Sequence, residues 1–154
     1  MGRGKLRFVT MLTCFGAGLS FAGADDAKPP AFTPQVSDFM AETQLRHFKL
    51  WFAGSLQNWP LAEYELAKIK KSFDLASQYA GDAAPAFSEA VKTKSDPAFR
   101  ALASAISAKD ASAFVAGYRQ LTEACNACHE SVHIGFIRVQ TPTASPFSNQ
   151  GFAP

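Results

Sequence analysis

Apolar residues recur along this chain at helical spacing, with no sustained alternation. From Val36 to Leu56, winding at ~100° per residue puts Val36, Phe39, Met40, Thr43, His47, Leu50, Trp51 and Gly54 in one stripe. Ala41, Leu45, Phe48 and Phe52 form a second apolar stripe beside it, and Glu42, Arg46 and Lys49 take the remaining side. A helix apolar over more than half its circumference is well buried, with its charged edge in water. Ser37 is its candidate N-cap.

Asn58-Trp59-Pro60 interrupts the pattern. Asn caps helices, and Pro fits a first turn, where its missing N–H costs nothing. A second helix is expected from Pro60 to Tyr79, where apolar Leu66, Ile69 and Phe73 alternate with more polar positions and Lys68, Lys70 and Lys71 make a solvated face. The signal weakens over 81–94, where Ala84 to Val91 suits a short helix. Ser95-Asp96-Pro97 is a cleaner start signal. It opens a third helix, Asp96 to Ala108, with Phe99, Leu102, Ala103 and Ile106 inward. Asp110 caps a fourth, which runs to Val132 with Phe114, Tyr118, Leu121, Cys125, Cys128, His129 and Val132 on one face. Residues 134–154 have no helical period and carry the turn-rich stretch Thr141 to Pro146. Phe136, Ile137, Val139, Phe147 and Phe152 are too apolar for a free tail, so the segment is expected to wrap over the helices. The fold class expected is all-α: a four-helix bundle over 36–133 with an extended C-terminal tail.

The N-terminal segment has a different logic. Arg3, Lys5 and Arg7 precede an apolar run from Phe8 to Phe21, and Ala22-Gly23-Ala24 gives an A-x-A cleavage pattern before Asp25. The run is broken by Thr and Gly and falls short of the ~20 residues that a span requires. Residues 1–24 are read as a secretory signal peptide cleaved near Ala24, and 25–35 as a flexible leader. A periplasmic address follows, with no membrane span after cleavage. Removing the segment also changes the charge. The full chain is +2; without Arg3, Lys5 and Arg7, 12 of its 15 Lys and Arg face 13 Asp and Glu, a net −1. No basic cluster remains to suggest nucleic acid. Cys14 leaves with the segment, so Cys125 and Cys128 are the only cysteines of the mature chain.

Those two cysteines lie in Cys125-Asn126-Ala127-Cys128-His129, the C-x-x-C-H spacing that attaches c-type haem. Each thiol adds to a vinyl group of the porphyrin, and the histidine that follows becomes the proximal iron ligand. Residues at i and i+3 of a helix point to one side, which the grip on a flat ring requires. Three rival readings are weaker. A redox dithiol of the thioredoxin type needs a βαβ setting. A zinc site would draw on Cys125, Cys128, His129 and His133, whereas structural zinc takes its ligands from two separated pairs. A chance match would not be expected to fall on the buried face of an exported chain's last helix. The 14 Phe suit the apolar walls of a haem site.

A haem motif near the end of the last of four helices resembles the class II c-type cytochromes, the cytochrome c′ and cytochrome c-556 group. The stretches Lys49 to Gly54, Asn58 to Ala62 and Leu121 to His129 are also similar to exported proteobacterial haem proteins of comparable length. The chain departs from cytochrome c′ in its long tail and in a short third helix after an irregular link. The resemblance implies one covalent haem c held by Cys125, Cys128 and His129, with the first helix passing over the distal face.

On that helix His47 is the candidate distal ligand, since imidazole suits iron. Met40, two turns earlier on the same stripe, is the alternative, and an open position is the third. A closed position suits electron transfer with periplasmic redox partner proteins. An open one suits binding of NO or CO. No distal base and cationic partner pair up as a peroxidase would need, so no enzyme is expected. Class II relatives often dimerise through their first two helices. The stripe Ala41, Leu45, Phe48 and Phe52 offers such a homodimer face, or equally a seat for the tail.

Overall fold

The structure is a computed structural model that describes Met1 and residues 31–154. Apart from Met1, the expected signal peptide and the leader up to Pro30 lie outside the described residues. The described residues are helical, with no strand among them. Four long helices, α1 (Val36–Ser55), α2 (Trp59–Tyr79), α4 (Asp96–Ala108) and α5 (Ala111–Ser131), are joined by a short one, α3 (Ala84–Ala90). No helix among the described residues is long and apolar enough to cross a membrane.

The helix ends follow from local chemistry. Ser37 does not cap α1. The cap is Gln35, two residues earlier, where the Asp38 carboxylate turns back to accept the Gln35 N–H at 2.8 Å. Asn58 caps α2, its Oδ1 accepting from Leu61 N–H at 3.3 Å, and Pro60 sits in the first turn. Asp110 caps α5 by accepting from the N–H groups of Ser112 and Ala113 at 2.9 and 3.0 Å. Those bonds hold its carboxyl below the usual range. Between α3 and α4 the chain never breaks. A π-helical turn, Val91–Ser95, carries one into the other. Ser95 therefore caps nothing; it is buried inside a continuous helical run.

Leu50 and Ala53 of α1, Leu66 and Ile69 of α2, Phe99 and Leu102 of α4, and Phe114 and Leu121 of α5 meet in one core. The inner face of α4 turns Ala98 and Ala105 inward, and Ala103 lies exposed. Phe114, Tyr118 and Leu121 of α5 are fully buried. Cys125 is the last buried residue of its stripe; Cys128 and His129 are half-buried and Val132 is exposed. The motif thus emerges from the core at the C-terminal end of α5.

Beyond α5 the chain folds back. His133 adopts a left-handed conformation (φ 63°), with Ile134 N–H bonded to the His129 carbonyl at 2.9 Å and His133 N–H to that of Glu130 at 3.2 Å. This is the Schellman way of ending a helix. It reverses the chain directly after the motif. Farther on, Phe147 packs edge-on against Phe48 and Phe152 packs against Phe52, each at 5.6 Å between ring centroids. Phe48 and Phe52 of the second apolar stripe of α1 are thereby covered by the chain's own C-terminal residues, and Ala41 stays exposed.

Candidate functional site

α1 and α5 run antiparallel, and their contacts set the register of the site. The Phe114 ring lies against Gly54, and His47 meets Tyr118 and Thr122. Moving up α5 toward the motif therefore means moving down α1 toward Thr43 and Met40.

Cys125 and Cys128 are free thiols one turn apart. Burial, with Cys128 close by, pushes the Cys125 thiol up to about 12. Burial also raises the Cys128 thiol, against the opposing ammonium of Lys94. A redox dithiol requires the reverse shift, toward thiolate, and a helix N-terminus; these two close the C-terminal end of α5. The zinc reading fares no better. Among the described residues no three His, Cys, Asp or Glu side chains converge as a metal cluster, and His133 is an exposed turn residue.

His129 Nδ1 lies 2.7 Å from the carbonyl oxygen of Ile137. A carbonyl can only accept, so Nδ1 carries a proton, and in the neutral ring the lone pair is therefore on Nε2. That is the tautomer of a metal-ligating histidine whose second nitrogen is held by the protein.

No protein-family model, curated protein or solved structure matches this chain.

His47 is 3% exposed, and both ring nitrogens are engaged. Thr122 Oγ1 gives its single proton to the Tyr118 carbonyl at 3.0 Å, so the 3.0 Å contact to His47 Nε2 requires Nε2–H to donate. Nδ1 then accepts from the Tyr118 hydroxyl at 2.8 Å; that hydroxyl also lies 3.0 Å from the His47 carbonyl. Burial raises the Tyr118 phenol and lowers the His47 imidazole to about 4. From Thr122 to His129 is two turns of helix, ~10 Å of rise. The structure does not bring His47 to His129; it binds His47 into a three-residue core network.

Met40, half-buried against the core, and Thr43, buried, continue the His47 stripe toward the motif. Thr43 Oγ1 and Ser95 Oγ are the two buried side-chain polar atoms among the described residues that have no hydrogen-bond partner. Thr43 is one turn beyond His47. Ser95 belongs to the π-helical turn that packs on α5, beside Lys94 whose charge is felt at Cys128. Buried hydroxyls without partners are rare, and each calls for an explanation, an added group or water among them. Val91 and Val139 add apolar wall, and Val132, Phe136 and Ile137 stand exposed beside the motif. Two thiols on one helix face, an imidazole with a free Nε2, apolar surroundings and unpartnered hydroxyls fit a covalently attached haem.

Sequence reasoning missed Asn126 and the carbonyl of Ile137. Asn126 Nδ2 donates to the Val139 carbonyl at 3.0 Å, and Val139 N–H donates to Asn126 Oδ1 at 2.8 Å. The polar residue between the cysteines was visible, but its partner is backbone from a non-helical segment and leaves no pattern. Tyr118 and Thr122, four apart on the inner face of α5, were the readable sign that His47 had core partners.

Proposed function

We propose that this chain is an exported monohaem c-type cytochrome that carries electrons in the periplasm. One observation carries the reading: the Ile137 carbonyl holds the proton of His129 on Nδ1, leaving Nε2 free on the same helix face as two otherwise unemployed thiols. Haem iron, when bound, supplies a reversible one-electron couple.

Cys125 and Cys128 would hold the porphyrin by thioether bonds, and His129 would be the proximal ligand. The core behind Cys125 keeps water from one side of the site. The emergence of Cys128, His129 and Val132 at the bundle end supports an electron path to a redox partner protein. The resemblance to class II cytochromes agrees with four long helices in this order. With His47 employed in the core, the donor on α1 that the register brings toward the motif is Met40, and we assign it the sixth position. The role proposed is that of a carrier. A homodimer through the first two helices would use surface other than Phe48 and Phe52, which Phe147 and Phe152 cover.

The gas-binding alternative rests on the unpartnered Thr43 hydroxyl, which suits a diatomic ligand at an open sixth position. Peroxidase staining of a denaturing gel tests the common ground. A stained band that disappears when Cys125 and Cys128 are both replaced by Ser is expected; an unstained wild-type band overturns the haem reading. Reduced protein that ignores CO supports the carrier, and CO uptake supports the gas binder.

A further inference from the structure

Three residues of the returning chain are tied to three residues of the motif turn. Ile137 accepts from His129 Nδ1 at 2.7 Å, Arg138 meets the Glu130 carboxylate at 2.9 Å, and Val139 exchanges two hydrogen bonds with Asn126 at 2.8 and 3.0 Å. The ties are unequal. Arg138 and Glu130 are each about 60% exposed, and such a pair adds little. Asn126 and Val139 are half-buried, and the amide of Asn126 satisfies both the N–H and the C=O of Val139, as a neighbouring strand would. This clamp grips the chain two residues from the carbonyl that meets His129.

We propose that Asn126 is a positioning residue for His129. By clamping Val139 it holds the Ile137 carbonyl against Nδ1, which selects the Nδ1–H tautomer and presents Nε2 to the iron. An N–H bonded to a carbonyl makes the opposite nitrogen a stronger donor. A stronger axial donor favours ferric over ferrous iron, so the clamp lowers the reduction potential. The inference rests on the haem reading for its effect on potential; its effect on the tautomer belongs to the chain itself.

The test compares wild type with Asn126→Ala, Val139→Pro and Arg138→Ala, each as the full chain matured with haem. Val139→Pro deletes the N–H given to Asn126 and leaves the motif intact, so it decides the matter if Asn126→Ala does not fold. Both clamp variants are expected to shift the ferric–ferrous equilibrium toward ferrous by about tenfold, an upward move of ~59 mV for one electron. Arg138→Ala is expected to leave it unchanged. Nitrogen-15 spectra of the imidazoles in the haem-free chain give the second readout. His129 should be Nδ1–H in wild type and move toward the Nε2–H form, which solvated imidazole prefers, in the clamp variants. A haem-loaded protein whose potential and tautomer ignore both clamp variants overturns the proposal and spares the haem reading. A chain that takes no haem overturns that reading instead, and the tautomer alone then decides the clamp.

Discussion

His47 Nε2 lies 3.0 Å from Thr122 Oγ1, and this contact fixes the protonation of a histidine in the core. The Thr122 proton is committed to the Tyr118 carbonyl, so the ring must donate at Nε2 and accept at Nδ1. A neutral imidazole meets both demands. An imidazolium would turn a second N–H on Tyr118, whose hydroxyl would then have to give its own proton to the His47 carbonyl instead.

That arrangement makes stability depend on pH. Burial lowers His47 from the ordinary 6.5 to about 4. Between those values the unfolded chain binds a proton that the folded chain refuses, so stability rises with pH across the window. On acidification the loss begins near 6.5 and is complete at about 4, amounting to about 3 kcal/mol. Glu65 acts in the opposite sense, since burial raises its carboxyl against the pull of Arg46. The clean measurement is therefore a difference. Urea unfolding of wild type and His47→Gln through the window should show stability rising more steeply with pH in wild type than in the variant; parallel curves would show that His47 charges normally in the folded chain.

The contact of Gly54 with Phe114 is the second test. A Cβ on Gly54 would collide with the outer carbons of the Phe114 ring, which is itself fully buried against Trp59 and Tyr118. Gly is usually a weak helix residue, so its place in α1 needs this close approach. Gly54→Ala gains propensity but overpacks the core, and a net loss of about 2 kcal/mol is expected. A lower urea midpoint at unchanged slope would show it; a raised midpoint would mean that the ring can move aside.

Arg46 offers a test of the α1–α2 seam. Its guanidinium bonds Glu42 at 2.6 Å and reaches Glu65 at 3.3 Å, where the carboxylate is 1% exposed. Arg46→Met strands a buried carboxylate, and about 3 kcal/mol of stability should go with it. Replacing Glu65 by Leu in the same chain should restore most of the loss, because two apolar residues need no pairing. Equal stability of the single and double variants would show that Glu65 finds water.

The long helices were legible because their apolar stripes and caps agree. Asn58 and Asp110 announce α2 and α5, and Phe114, Tyr118 and Leu121 give the face that is buried. What was not legible depends on register and on backbone. The 3.6-residue period places His47 on the inner stripe but does not say which turn of α5 it meets. Two turns of offset separate a ligand from a core hydrogen-bond partner. The link before α4 misled because Ser95-Asp96-Pro97 has the residues of a helix start, while the chain entering it is already helical. The tie between Asn126 and Val139 joins a side chain to peptide groups, and peptide groups are the same at every position.

The proposed assignment of the sixth position to Met40 is tested by spectra. If Met40 is the ligand, oxidised wild-type protein is low-spin, Met40→Ala becomes high-spin, and its reduced form gains CO binding. His47→Gln leaves the spin state as it was, because His47 spends its nitrogens on Tyr118 and Thr122. Its effect is on stability, along the pH dependence described above. A high-spin wild type would instead mark the position as open, and Thr43→Val, which removes an unpartnered hydroxyl from the α1 stripe, would then be expected to weaken ligand retention. A switch to high spin in His47→Gln, with Met40→Ala unchanged, would mean that haem attachment pulls His47 out of its network. In that event α1 would have to slide by about two turns against α5, and the contact between Gly54 and Phe114 would be lost with it.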